Sequence, residues 1–341
     1  MLRYTYKFPR ELADGWKTDG LVHAQADEKK IKTGIEKILD GSFPDINSLL
    51  VVRGGRLVLE EYFNGQGPDI PRPIFSVTKS VFSLIFGIAQ NQGLFDVNKR
   101  LYDFFPEYRE KAEWDPRKDR MTLGMLLSMS SGYNCHDMKD SCGSKMIKSP
   151  DWLAYSLSLP LENDPGTHFN YCGTACLTPL GVLTARFSGL TIPEFAQKHL
   201  FQPLGIQGLH WEVGPKGVFN VSWGHWMKPR DMAKLGLLVL NKGAWEGREI
   251  IPQKWTDEIL TPQAPRDSKA ALDYGYLWWI REVNSMGRKT PVFYANGYDM
   301  QFIFLVPEFD LVCVITGGNG QHWGDLTMAE TFFQEYILAA I

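Results

Sequence analysis

Residues 74–90 read IFSVTKSVFSLIFGIAQ, an apolar run with a serine near its start and a lysine three positions on, Ser76 and Lys79. A serine just before an apolar-periodic stretch is a helix-start signal, so the segment predicts a helix from about Ser76 to about Gly93. At positions i and i+3 the two side chains share one helical face, about one turn apart. Two readings are open. In the first, Ser76 sits at a helix cap and Lys79 lays its stem along apolar neighbours. In the second, the pair is chemical. A serine hydroxyl attacks well only when a base takes its proton, and burial lowers a lysine's pKa toward neutrality, where it can act as that base. The N–H groups of the helix start would also favour negative charge on an attacked carbonyl oxygen. No other Ser-x-x-Lys occurs in the chain.

Composition narrows the alternatives. The chain has 341 residues, 44% hydrophobic and 22% charged, enough for a large core in two lobes or one elaborated domain. A net charge of −3 without a basic run argues against a nucleic-acid surface. No stretch approaches the roughly 18 consecutive apolar residues of a membrane span. The opening MLRYTYKFPRELADGW contains no apolar segment of signal-peptide type, which gives the expectation of a cytoplasmic protein. Five cysteines (Cys135, Cys142, Cys172, Cys176, Cys313) are odd in number and irregular in spacing. That fits free thiols in a reducing compartment better than a disulfide scaffold, with a Cys135–Cys142 bridge as the alternative. Cys135, His136, Asp137 and Cys142 do not have paired-cysteine zinc spacing, so they read as a loop with incidental ligand types. No metal or organic cofactor is expected.

Along the chain, LLVVRGGRLVLEEY (49–62) is a pair of β-rich runs turned at Gly54-Gly55, a hairpin signal. After the Ser76 segment, MTLGMLLSMSSG, SPDWLAYSLSLPL, TACLTPLGVLTARFSG and TIPEFAQKHLFQPLG show helix-spaced apolar residues closed by Gly or Pro. A further helix spans about Pro229 to Asn241, with Asp231 near its positive end. Then YGYLWWI (274–280), PVFYANG (291–297), MQFIFLVP (300–307) and LVCVITGG (311–318) read as an antiparallel meander, followed by a helix from about Leu326 to Ala340. Strands at both ends with helices between them predict an α/β (α+β) fold. Residues 1–75 and 225–341 would form a lobe with an antiparallel sheet, and residues 76–224 a mostly helical inserted lobe carrying the Ser76 helix.

PIFSVTKS, MTLGMLLSMSSG, PGTHFNYCG, LFQPLGI and a glycine-turned hairpin before a VPE strand follow one another in order. This series resembles the serine β-lactamase and penicillin-binding protein superfamily. Within it, the chain is similar to the class C-like branch that holds family VIII esterases and 6-aminohexanoate-dimer hydrolases. The resemblance covers about residues 45–320. It implies a β-lactamase-like unit with Ser76 as nucleophile, Lys79 as its adjacent base and Tyr171 facing both. A phenol held against an ammonium can relay a proton to the leaving group. The other reading of Tyr171 is a core tyrosine with a satisfied hydroxyl. The resemblance also implies an oxyanion hole made by the backbone N–H groups of Ser76 and Tyr298, beside Asn296 and Gly297. The alternative for Asn296-Gly297 is a plain hairpin turn.

Two departures bear on substrate. The family's tyrosine motif often carries an asparagine or serine where this chain has Gly173. Its Lys-Thr-Gly motif falls at Ala295-Asn296-Gly297, without the cation that usually meets a substrate carboxylate. Both point to the esterase and amide-hydrolase side, with a small ester or amide as substrate, no nucleic-acid partner and no membrane. A β-lactamase or D-Ala-D-Ala carboxypeptidase, and a non-catalytic ligand-binding relative, are the alternatives. Trp223, Trp226 and Tyr298 are candidates for an apolar acyl pocket. His136, His168, His225 and His322 read as structural or loop histidines, and TGGNGQHWG (316–324) has no phosphate-loop lysine. Neither Gly-x-Ser-x-Gly nor His-Glu-x-x-His occurs.

Overall fold

Gly54 and Gly55 both take left-handed backbone, φ 55° and 69°, and turn strand β1 (Ile46–Arg53) back onto β2 (Arg56–Tyr62). Two successive positive φ values match the right-handed twist of a tight hairpin, and glycine reaches them without steric cost. The computed structural model describes residues 4–208, 210–265, 272–285, 287–318 and 326–341. Near the other end of the chain, strands β3 (Asp273–Tyr274), β4 (Trp279–Ser285), β5 (Arg288–Gly297), β6 (Gln301–Val306) and β7 (Leu311–Gly317) form the expected meander. β1 pairs antiparallel with β7, Leu50 opposite Val314 and Val52 opposite Val312. The two ends of the chain thus share one seven-stranded sheet, in the order β2-β1-β7-β6-β5-β4-β3.

Both faces of that sheet are covered, which is why its central strands read as continuous apolar runs. One face (Leu50, Val52, Ile303, Leu305, Val312, Val314) packs in a core with helices α2 (Val77–Asn91), α3 (Gly173–Ser188) and α4 (Pro229–Leu240). The other (Leu49, Val51, Phe302, Phe304, Cys313, Ile315) packs against Ile31, Ile35 and Ile38 of α1 (Glu28–Leu39). The same core takes in Phe332 of α5 (Leu326–Phe332), and Phe333 and Ile337 just beyond it. The result is a mixed α/β fold, an antiparallel sheet flanked by helices, as the sequence predicts.

Helix α2 is buried from Val77 to Ala89 on every side, so it is a central helix and not an amphipathic surface one. Its polar side chains are satisfied locally: Ser80 Oγ donates to the Leu277 carbonyl and Ser83 Oγ to that of Tyr276, both at 2.7 Å. Two details differ from expectation. Helix α1 is additional to the predicted elements. YGYLWWI is not one strand: β3 ends at Tyr274, Leu277 takes a φ of 67°, and pairing resumes only at Trp279. The break lets the carbonyls of Tyr276 and Leu277 reach the serines of α2. The glycine-rich run beyond Gly318, with His322, lies outside the described residues.

Candidate active site

The chain enters α2 through a strained residue. Phe75 has a φ of 44°, a conformation that costs a bulky side chain about 1 kcal/mol or more. Its ring packs edge-on against Tyr298, with centroids 5.4 Å apart. Ser76 then occupies the N-cap position, yet its hydroxyl makes no capping bond. The first-turn N–H groups are already partnered, Val77 by the Ile74 carbonyl at 3.1 Å and Thr78 by that of Phe75 at 2.9 Å. The hydroxyl therefore remains available and is met from below by Lys79.

Lys79 is 2% exposed. Its Nζ donates to Ser76 Oγ at 3.0 Å and to the Ser222 carbonyl at 3.1 Å, and lies 3.4 Å from Asp137 Oδ2. Here the structure adds neighbours that the sequence reading did not include. Burial alone pulls the ammonium's pKa down, as expected, but Tyr171 and Asp137 together pull it up further. The balance lies above the ordinary lysine value, which favours the ammonium form.

Tyr171 lies just before α3, its ring centroid 4.9 Å from Lys79 Nζ. The ring stacks on Trp279, with centroids 5.6 Å apart. Two residues on, a side chain at Gly173 is impossible without displacement, because a Cβ there would stand 1.9 Å from Lys79 Cε. The missing amide or hydroxyl thus coincides with the space through which the lysine passes. Asp137 fills the electrostatic gap from another loop. It is nearly buried, and its oxygens accept from the backbone N–H of Gly173 at 3.0 Å and Thr174 at 3.1 Å.

The strand end of the site is set by contact between β5 and the start of α2. Gly297 pairs with Gln301, and a Cβ on it would lie 2.3 Å from the Ile74 carbonyl oxygen and 3.2 Å from Val77 N. Glycine is needed here for close approach. The turn itself falls later, at Asp299 and Met300, with φ of 62° and 60°, which removes the plain-turn reading of Asn296-Gly297. Tyr298 follows directly, against Phe75. The structure therefore brings all six predicted residues, Ser76, Lys79, Tyr171, Asn296, Gly297 and Tyr298, to one place.

A cavity of about 380 Å³ opens above them. Ser76, Tyr171, Asn296 and Tyr298 line it together with Phe169, Trp279, Tyr294, His136, Met138, Leu272, Thr327 and Glu330. The aromatic wall comes from Phe169, Trp279 and Tyr294, whereas Trp223 and Trp226 are not in the described lining. Glu330 is paired with Arg281, Oε2 to Nη1 at 2.6 Å. His136 accepts at Nδ1 from the N–H of Met138 (3.0 Å) and Lys139 (3.2 Å), which leaves its proton on Nε2.

The loop bearing His136 and Asp137 is closed by a Cys135–Cys142 disulfide, which overturns the expectation of five free thiols. The Asp140 carboxylate accepts from the N–H of His136 at 2.8 Å and of Cys142 at 2.6 Å, and this tight turn brings the two Cα atoms to 5.3 Å. Cys172, Cys176 and Cys313 are free and buried. The cysteine count therefore no longer supports a reducing compartment, and the two bridged sulfurs are not thiolate ligands.

The family model described as Beta-lactamase matches residues 42–327. The chain belongs to the Beta-lactamase family. It is 24% identical over 307 residues to a 6-aminohexanoate-dimer hydrolase from Paenarthrobacter ureafaciens, covering 82% of this chain and 75% of that one. A lovastatin esterase from Penicillium rubens is 34% identical over 99 residues, 27% of this chain and 24% of the esterase. Among solved structures, a D-stereospecific amidohydrolase from Streptomyces superposes with a TM-score of 0.69 at 14% identity, over 91% of this chain and 99% of that one. These relatives are named as ester and amide hydrolases, and the protein is a serine hydrolase of the Beta-lactamase family.

Within this β-lactamase-family site, the sequence reading misses Asp137 and the aromatic wall. Asp137 stands in a loop with other ligand-type residues, and its distance from Lys79 along the chain gives no sign that the two meet. Trp279 and Tyr294 lie in strands recognised as such. Only their pairing across β4 and β5, directly opposite one another, places both over the cavity.

Proposed function

We propose that this β-lactamase-family protein hydrolyses a small, neutral carboxylic ester or amide through an acyl-enzyme at Ser76. The observation that carries the reading is the convergence of Ser76 Oγ, Lys79 Nζ and the Tyr171 side chain at the floor of an aromatic-walled cavity. Ser76 Oγ attacks the substrate carbonyl and passes its proton to the Tyr171 oxygen, beside Lys79. Negative charge on the carbonyl oxygen is met by the N–H groups of Ser76 and Tyr298, on a helix start and a strand end held together at Gly297. Tyr171 then gives the proton to the departing alcohol or amine, and water releases the acid from Ser76. Lys79 works as a fixed charge within the relay.

The described cavity lining contains no lysine or arginine, and Ala295 stands where the family has its motif lysine. A substrate carboxylate would find no cation there, which favours neutral esters or amides over β-lactams and D-Ala-D-Ala peptides. Intact-mass measurement after incubation with p-nitrophenyl esters, lactams and small amides tests the reading. A stoichiometric acyl adduct on the protein, absent in Ser76→Ala, is expected with the neutral ester. Retained hydrolysis by Ser76→Ala would sink it, and faster turnover of nitrocefin than of short-chain esters would favour a β-lactamase.

A further inference from the structure

We infer that Asp137 is a positioning residue of the hydrolytic site, its carboxylate fixing Lys79 beneath Ser76 and tying it to the segment that presents Tyr171. The inference rests on the hydrolase reading above and adds a residue to it.

Three contacts carry it. Asp137 Oδ2 lies 3.4 Å from Lys79 Nζ, in a pair whose side chains are 9% and 2% exposed. Its two oxygens accept from the N–H groups of Gly173 and Thr174, the first residues of α3. Its own N–H donates to the Tyr171 carbonyl at 2.9 Å. One residue therefore holds the lysine head, the start of α3 and the backbone of the tyrosine. The bare backbone at Gly173 makes this possible, since a side chain there would occupy the path of Lys79.

An interior charge pair is costly unless both members are well held. Here the ammonium has further acceptors in Ser76 Oγ and the Ser222 carbonyl, and the carboxylate has two backbone donors. The disulfide supplies the remaining constraint, because Asp137 lies inside the Cys135–Cys142 loop. The titratable groups facing the pair are Tyr171, Tyr274 from β3, and Cys172, with His136 beside Asp137. Among them Asp137 is the carboxylate at the ammonium. Removing its charge takes away one of the two neighbours that raise the Lys79 pKa against burial, so the ammonium would lose its proton at lower pH.

Asp137→Asn separates positioning by charge from simple helix capping, since an amide oxygen can still accept from the α3 backbone. The expected result is a kcat on a neutral p-nitrophenyl ester lower by about tenfold to a hundredfold, with KM little changed. The alkaline limb of the kcat/KM profile should move down by about one pH unit or more. Asp137→Glu, which keeps the charge, should restore the limb more than the rate. Asp137→Ser, another uncharged capping residue, carries the same test if the asparagine variant does not fold. In the wild-type protein, ¹³Cε-lysine NMR should show Lys79 still charged at pH 9, a readout independent of activity. An unmoved alkaline limb in a folded uncharged variant, or a neutral Lys79 at that pH, would overturn the inference. Retained activity in Ser76→Ala would instead overturn the hydrolase reading and leave the Asp137–Lys79 pair to be judged by NMR.

Discussion

A Cβ on Gly173 would stand 1.9 Å from Cε of Lys79. Alanine there must push the lysine stem aside, and the lysine cannot move without loosening its bonds to Ser76 Oγ and the Ser222 carbonyl. Gly173→Ala is expected to cost about 1–3 kcal/mol of stability and to lower kcat by about a hundredfold, with KM much less affected. Ester kinetics beside a thermal melt check this. A variant with wild-type kcat would show that the lysine's place is not critical.

Gly297 makes the corresponding approach on the strand side, 2.3 Å from the Ile74 carbonyl for an added Cβ. Gly297→Ala should part β5 from the start of α2 and with it the two N–H groups assigned to the oxyanion. A fall in kcat of about 10²–10³-fold is expected, the usual loss on removing one oxyanion donor. Acylation rates from single-turnover kinetics would register it. An unchanged rate would remove Tyr298 from the oxyanion assignment.

Trp279 stacks on Tyr171 at 5.6 Å and forms much of the cavity wall. Trp279→Ala should weaken binding of aromatic and long-chain acyl groups, with a loss in kcat/KM of up to about tenfold. Acetyl esters should suffer less. Equal losses across chain lengths would argue that Trp279 supports Tyr171 and does not touch substrate.

The Cys135–Cys142 bridge closes a loop with a sequence separation of 7 around Asp137. On the chain-entropy account a loop of that size contributes about 2 kcal/mol. Treatment with a dithiol, or Cys135→Ser with Cys142→Ser, should lower the melting temperature by a few degrees and reduce kcat. A double variant with full activity would show that the loop holds Asp137 without its staple.

His225 is fully buried, stacked on Trp211 at 4.2 Å, and donates from Nδ1 to the His210 carbonyl at 2.9 Å. Burial lowers its pKa to about 4. Between pH 6.5 and 4 the unfolded chain therefore binds a proton that the folded chain refuses, so stability falls as pH falls through this window. Integrated over the window, the loss is about 3 kcal/mol. His225→Gln should lose correspondingly less between pH 7 and pH 4.5 in urea denaturation. Parallel acid slopes for variant and wild type would sink the prediction.

Much of this architecture was legible in the chain. The Gly54-Gly55 turn, the β-branched runs near the C-terminus and the helix-spaced segments between them carry their geometry locally, in φ preference and apolar period. Helix α1 was equally legible in principle, since Ile31, Ile35 and Ile38 lie on one face and Asp27 caps its start. The break in YGYLWWI was not, because strand-forming side chains gave no sign of the carbonyls that α2 would require.

The sequence by itself determined which reactive side chains exist: one Ser-x-x-Lys, a tyrosine before a helix, and a glycine where a family lysine would stand two residues earlier. Tertiary structure decided what they are chemically. Burial lowers the proton affinity of Lys79, and the approach of Tyr171 and Asp137, 92 and 58 residues further along the chain, raises it. Proton affinity depends on distance and dielectric, and neither is written in residue order.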